Sequence, residues 1–245
     1  MSRPVYHHEQ LIRSLSPESI AVVGVSNNPS SFGARTMARL AHFSGRLYQI
    51  NPRYEEIGGL RCNASVTALP EVPDCVVVAT GRDQVVDIVR ECAAAGVGGC
   101  IIYASGFAEV GSEQGVSEQD ELARIARESG MRIIGPNCIG LANFTIGANI
   151  TFYSETRLDK PAAHAVGIVS QSGALGNALI QSIERGVQVS HMLASGNSCD
   201  VDVADFVAYL AGDPGCRAIA CLFEGMSDPN RMIEAARIAW EADKP

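Results

Sequence analysis

Four short stretches of this sequence hold residues suited to gripping a phosphorylated ligand. The first is Gly24-Val-Ser26-Asn-Asn28-Pro-Ser30-Ser31-Phe-Gly33, at the end of the apolar run 20–25, IAVVGV. Gly24 lets the chain turn sharply off a strand, and small polar side chains present hydroxyls and amides. Gly33 lets the next helix pack close, its free N–H groups and positive dipole end aimed at the turn. This is the layout of a dinucleotide or diphosphate site with a loop longer than GxGxxG. A turn and helix cap without a ligand is the plain alternative. The second stretch, Gln49-Ile50-Asn51-Pro52-Arg53, closes the following strand. An NAD site puts a carboxylate there to hold the ribose hydroxyls. Here an arginine stands instead, which favours a ribose phosphate, as in NADP or coenzyme A; a solvated surface charge is the alternative.

The third stretch, Ser170-Gln171-Ser172-Gly173-Ala174-Leu175, opens a helix straight after a strand. Free amides and hydroxyls at such an end bind phosphate, and Ser172 with Gly173 is the strongest anion-binding pair. An N-cap serine also stabilises a helix by about 1 kcal/mol with no ligand at all. The fourth is Glu224, ending the run 218–224, AIACLFE. A carboxylate at a strand's C-terminal tip lies where open α/β sheets bind ligands.

These residues need strands and helices to carry them. Apolar runs at 20–25, 47–51, 74–80, 99–105 and 132–135 read as strands, and 33–43, 82–95 and 118–129 have helical spacing. Short apolar runs between helices point to a parallel sheet covered on both faces. The alternation is that of a doubly wound, Rossmann-like α/β domain. A second set follows a polar stretch at 153–164. Its strands are expected at 165–170, 187–195 and 218–224, and its helices at 173–185, 201–210 and 229–242. The division is placed near 150–162, giving domains at 1–150 and 160–245.

Composition narrows the function. At roughly 150 residues per domain, 245 residues make about 1.6 domains. The net charge of −8 argues against a nucleic-acid footprint or a polybasic membrane anchor. No run approaches the ~20 apolar residues of a membrane span, and the polar N-terminus is no signal peptide. Lys160 and Lys244 are the only lysines, so a Schiff-base or P-loop lysine is hard to place. Eight scattered cysteines without a CxxC pair suit a reducing cytoplasm and leave no metal site expected.

Three stretches in order carry a resemblance: IAVVGVSNNPSSFG with INPR at 20–53, MRIIGPNCIG at 131–140, and GIVSQSGALG at 167–176. With SGFAEVG at 105–111, SGNSCDVDVADFVAYLAGDP at 195–214 and LFEG at 222–225, the chain resembles the α-subunit-like half of NDP-forming acyl-CoA synthetases. That superfamily includes succinyl-CoA synthetase. The resemblance covers about residue 15 to 245. It implies a Rossmann-like CoA-binding domain and a flavodoxin-like ligase domain. The implied reaction joins an acid to CoA at the expense of an NTP, giving NDP and phosphate, by way of an acyl phosphate and a phosphohistidine. Gly24, Ser26, Asn28 and Gly33 would wrap the CoA phosphates, and Asn51, Pro52 and Arg53 would flank the adenosine end. Thr80, Ser105 and Gly106 would line the pantetheine path, with Asn137 near the thiol. Ser172 and Gly173 would hold the phosphoryl group, and Glu224 would orient the histidine that carries it. Cys138, beside Asn137, reads as a small packed side chain or a reactive thiol.

One departure stands out. The family's nucleophilic histidine sits in an SHTGA- or GHAGA-like context, and His7, His8, His42, His164 and His191 all lack it. His7 and His8 are read as tail residues. An ATP-grasp half, where ATP or ADP with Mg would bind, is missing as well, and no strand follows Lys244-Pro245. The expectation is a piece of a longer synthetase, with CoA, a carboxylic acid or its acyl phosphate, and an ATP-grasp domain or subunit as partners. A homo-oligomer is open. Alternatives are a natural short chain needing a partner subunit, a stand-alone CoA-binding regulatory module, and an NADP-linked oxidoreductase.

Overall fold

A computed structural model describes residues 3–153, 164–226 and 228–245. The chain begins with α1 (His8–Leu15), β1 (Ser19–Val23), α2 (Phe32–Arg39), β2 (Arg46–Ile50), β3 (Glu56–Ile57) and β4 (Leu60–Asn63). Next come β5 (Cys75–Val78), α3 (Arg82–Ala95), β6 (Gly99–Ile102), α4 (Glu113–Ser129) and β7 (Arg132–Ile134). These strands form one sheet in the order β3-β4-β2-β1-β5-β6-β7, parallel except for β3. Both faces are covered, as the unbroken apolar runs require. Val76 and Val78 pack with Val85 and Val89 of α3 and Leu122 and Ile125 of α4. Cys75 and Val77 face the other way, into a cluster with Leu11 and Leu15 of α1.

The second sheet contains β8 (Gly140–Asn143), β9 (Ala148–Thr151), β10 (Val166–Ser170), β11 (Val189–Ala194) and β12 (Ala218–Leu222), ordered β12-β10-β11-β8-β9. Helices α5 (Gly173–Ile180), α6 (Val203–Gly212) and α7 (Pro229–Glu241) follow β10, β11 and β12. This sheet is mixed, not wholly parallel as expected. β10, β11 and β12 are parallel, while β8 runs antiparallel to β11 and β9 antiparallel to β8. The pairing puts the crossing between sheets before Gly140, earlier than the division expected near 150–162. Residues 154–163 of that expected boundary, Lys160 among them, lie outside the described residues.

The N-terminal segment is not a tail. Helix α1 packs on α6, and the His8 ring stacks on Tyr209 with centroids 4.5 Å apart. Arg3 and Arg231 both pair with the fully buried Asp205, at 2.6 and 2.8 Å. Burial would raise the Asp205 pKa, but the arginines hold it below the usual carboxylate value. Between the domains, residues 197–201 run along 133–136. Asn197 N–H donates to the Pro136 carbonyl at 2.9 Å, Cys199 to Gly135 at 3.0 Å and Val201 to Ile133 at 3.1 Å. Asp200 accepts the Ile133 N–H at 3.0 Å.

Candidate functional site

In the first sheet β2 and β5 flank β1 on opposite sides, so the strand order reverses between β1 and β5. A crevice opens there at the strand C-termini. Gly24 turns off β1 with φ +91°, and a Cβ at this position would stand 2.6 Å from the Ala79 carbonyl oxygen. Only glycine has both that conformation and that clearance. A Cβ on Gly33 would stand 2.6 Å from the Gly24 carbonyl oxygen, so α2 starts directly against the turn.

The crevice is a cavity of about 470 Å³ lined by Gly24, Asn51, Pro52, Arg53 and Thr80, with Asp83, Asp87 and Glu91 along the α3 side. Thr80 Oγ1 is buried there without a hydrogen-bond partner among the described residues. An orphaned hydroxyl in a cavity wall is what a ligand oxygen or amide would satisfy. Asn51 is engaged by the protein: its Nδ2 donates to the Val25 carbonyl at 2.7 Å and its Oδ1 accepts the Arg53 N–H at 3.0 Å. That amide shapes the rim, while Pro52 and Arg53 stand exposed on it.

Ser26 and Asn28 are not in this cavity. Ser26 Oγ donates to Ser31 Oγ at 3.0 Å, and Asn28 Oδ1 accepts the Ser30 N–H at 3.0 Å. Ser31 caps α2 through the Ala34 N–H. These side chains hold the loop in shape, and Ser26 faces a separate depression with Arg35 and Arg39. Ser105, Gly106 and Asn137 gather elsewhere, at the ends of β6 and β7. Gly106 N–H donates to Glu109 Oε1 at 2.5 Å, and Asn137 Nδ2 donates to Asn197 Oδ1 at 3.2 Å. Asn197 Nδ2 in turn reaches Glu109 at 2.5 Å and Gln119 at 2.9 Å. Burial works against ionisation of Glu109, but these donors lower its pKa. Glu109 and Asn197 were not singled out in sequence. Their signal was there, inside SGFAEVG and SGNSCD, but only the fold brings residues 88 apart together.

Cys138 is a packed side chain. Its thiol donates to the Ala194 carbonyl at 3.0 Å, and burial pushes its pKa up to about 12. The free cysteines are all buried or half-buried.

The second sheet has its own reversal, with β11 and β12 on opposite sides of β10. At that point a cavity of about 560 Å³ is lined by Gln171, Asn197, Ser198, Asp202 and Glu224, among others. Ser172 caps α5 with its own hydroxyl, accepting the Leu175 N–H at 3.4 Å. Gly173 is fitted against Ile139: a Cβ there would come 2.6 Å from Ile139 Cγ2. Neither lines this cavity; Gln171, the residue before Ser172, does. No histidine lines it among the described residues. His191 is fully buried inside β11, 3.7 Å from Asp213, and His42 sits in the 3-10 turn after α2.

Among the described residues no helix is long and apolar enough to cross a membrane. Residues 18–143 match the family described as the CoA binding domain, and residues 163–245 match the succinyl-CoA ligase like flavodoxin domain. A trans-feruloyl-CoA synthase from an unknown prokaryotic organism is 41% identical over 98% of this chain and 34% of its own length. The α subunit of the ADP-forming acetate–CoA ligase II of Pyrococcus furiosus is 37% identical over 91% of this chain and 48% of its own. A solved structure of the dinucleotide forming acetyl-coenzyme A synthetase 1 of Ca. Korarchaeum cryptofilum, in complex with phosphate and ADP, superposes with a TM-score of 0.85 at 34% identity. That match covers 93% of this chain and 49% of the other. The chain thus spans about a third to a half of the relatives it matches. Both sheets, their order along the chain and these likenesses agree: the chain belongs to the NDP-forming acyl-CoA synthetase family, in its CoA-binding and succinyl-CoA-ligase-like part.

Proposed function

We propose that this chain is the CoA-binding, phosphoryl-handling portion of an ADP-forming acyl-CoA synthetase. Such an enzyme joins a carboxylic acid to CoA using ATP. The reading rests on one observation above the rest: the β1–β5 crevice, with the unpartnered Thr80 hydroxyl in its wall and Arg53 on its rim. Those residues fit a nucleotide-like coenzyme carrying a ribose phosphate. CoA, when bound, supplies the thiol that accepts the acyl group.

In this reading Gly24 and Gly33 bring the α2 N-terminus close to the coenzyme phosphates, and Ser26 and Asn28 hold the loop around them. Asn51 and Pro52 shape the adenosine end, and Arg53 meets the ribose phosphate. Ser105, Gly106 and Asn137 flank the route toward the second cavity. Beside that cavity, at the α5 N-terminus, Ser172 and Gly173 offer amides to a phosphoryl group, and Glu224 in the cavity wall orients an imidazole supplied from outside the described residues. ATP, ADP and Mg belong to an ATP-grasp domain or partner subunit. The relatives' names carry different acids, ferulate and acetate, and the reading commits only to a carboxylic acid. Buried free thiols support a cytoplasmic setting.

Calorimetry with CoA and dephospho-CoA tests the binding half. CoA binds, and Arg53→Ala weakens CoA about tenfold more than dephospho-CoA, the scale of one exposed charge-assisted contact. Equal losses for both ligands remove Arg53 from that role, and no binding of CoA at millimolar concentration removes the reading.

A CoA-binding module without turnover is the second reading. It is favoured by the lack of a histidine in the Glu224 cavity among the described residues. Mixing the chain with an ATP-grasp partner that carries the nucleophile separates the two: acyl-CoA formation supports the synthetase, and CoA binding without it supports the module.

A further inference from the structure

The loop carrying Glu224 is irregular from Phe223 to Met226, exposed at Phe223, Glu224 and Gly225 and half-buried at Met226. Free in solvent, it would place the carboxylate anywhere within a side chain's reach. Its backbone is instead tied to one neighbour. The Gln171 side-chain oxygen accepts the Glu224 N–H at 3.0 Å and the Gly225 N–H at 3.2 Å. Gln171 is itself fixed, its own N–H donating to the Leu222 carbonyl at 3.0 Å, across the β10–β12 pair. It immediately precedes Ser172, the cap of α5. One side chain therefore holds the Glu224 turn in register with the α5 N-terminus. Among the described residues no other hydrogen bond is made by the backbone N–H groups of this loop.

We propose that Gln171 is a positioning residue, setting where the Glu224 carboxylate stands relative to the Ser172–Gly173 amides. The choice of side chain fits the task. Two converging N–H groups need an acceptor, which lysine and arginine lack. A carboxylate would accept them but add a negative charge beside Glu224 and beside an arriving phosphoryl group. The neutral amide accepts both without that charge. Strand pairing alone brings the two elements together. The amide fork then sets the turn, a finer adjustment that the sheet cannot make. The proposal rests on the reading of Glu224 as the residue that orients the nucleophilic imidazole.

Three variants test it: Gln171→Leu, Gln171→Glu and Glu224→Gln. Amide hydrogen exchange on the chain alone is the first measurement. Gln171→Leu speeds exchange at Glu224 and Gly225 by tenfold or more, the scale of a lost hydrogen bond, while Gln171→Glu keeps the protection. The second measurement is histidine phosphorylation in the synthetase assembled around this chain. Gln171→Leu lowers that rate about tenfold, with CoA affinity and the unfolding midpoint unchanged. Protection unchanged in Gln171→Leu overturns the proposal. So does a wild-type phosphorylation rate in Gln171→Leu when Glu224→Gln is impaired. If Glu224→Gln also phosphorylates at the wild-type rate, the reading of Glu224 fails and the proposal falls with it.

Discussion

The Tyr6 hydroxyl donates to Asp200 at 2.7 Å, from a ring held between the guanidinium groups of Arg3, 3.6 Å from its centroid, and Arg132, at 4.1 Å. Burial, then the Asp200 charge, pushes the Tyr6 pKa up to about 12. Asp200 also accepts the Ile133 N–H of the first sheet, so this pair links the N-terminal segment to both domains. Tyr6→Phe keeps the ring and deletes one hydrogen bond to a buried carboxylate. The expected loss is about 1–3 kcal/mol, read from the midpoint of urea unfolding. A midpoint at the wild-type value excludes this link as a stabilising one.

Gly33 tests the loop. Alanine there would meet the Gly24 backbone, which is not a flexible partner. Gly33→Ala is expected to cost about 1–3 kcal/mol and to displace α2 from the turn. Both stability and CoA affinity fall together. If affinity holds while stability falls, the α2 N-terminus takes no part in CoA binding.

Thr80 separates ligand from fold. Thr80→Val removes a hydroxyl that has no partner among the described residues, so the free chain is expected to be as stable as wild type or slightly more so. CoA affinity is expected to drop about tenfold if the hydroxyl bonds the coenzyme. Unchanged affinity by calorimetry places the coenzyme's polar groups elsewhere.

His191 makes stability depend on pH. Burial, opposed by the Asp213 carboxylate, brings its pKa from 6.5 down to about 4. His8 and Lys244 act in the same direction as burial. The unfolded chain therefore binds more protons than the folded one between those values. Stability is full above pH 6.5 and is lost as pH falls toward 4, by roughly 3 kcal/mol. His191→Leu removes this contribution to the slope between pH 6.5 and 4. A slope equal to the wild type's assigns the acid sensitivity to other groups.

Much of the fold was legible because its signals are local. The run at 75–78 is apolar without a break, and burial on both faces of the sheet is the cause. The sharp turn at Gly24 and the close start of α2 at Gly33 were likewise readable, since each answers to a contact that only glycine allows. Helix α1 was missed because it is short and shows only Leu11 and Leu15 as its buried apolar pair. The β8–β9 hairpin was missed because its partner strand, β11, lies about fifty residues further on. Gln171 was passed over inside the motif that contains it. Its type says acceptor and donor, but only the β10–β12 pairing shows which backbone it serves.

The hairpin also bears on how this chain can be divided. Strands β8 and β9 precede the second set of elements in sequence yet pair only within the second sheet. A fragment cut at residue 150 would therefore carry away β8, cut through β9, and leave the buried Leu141 and Ile150 without their sheet. The remainder would lose the cover on β11. The two halves match two different families but are not modular at that position. A cut before Gly140 is the one that leaves each sheet whole, and any recombination of such halves must respect it.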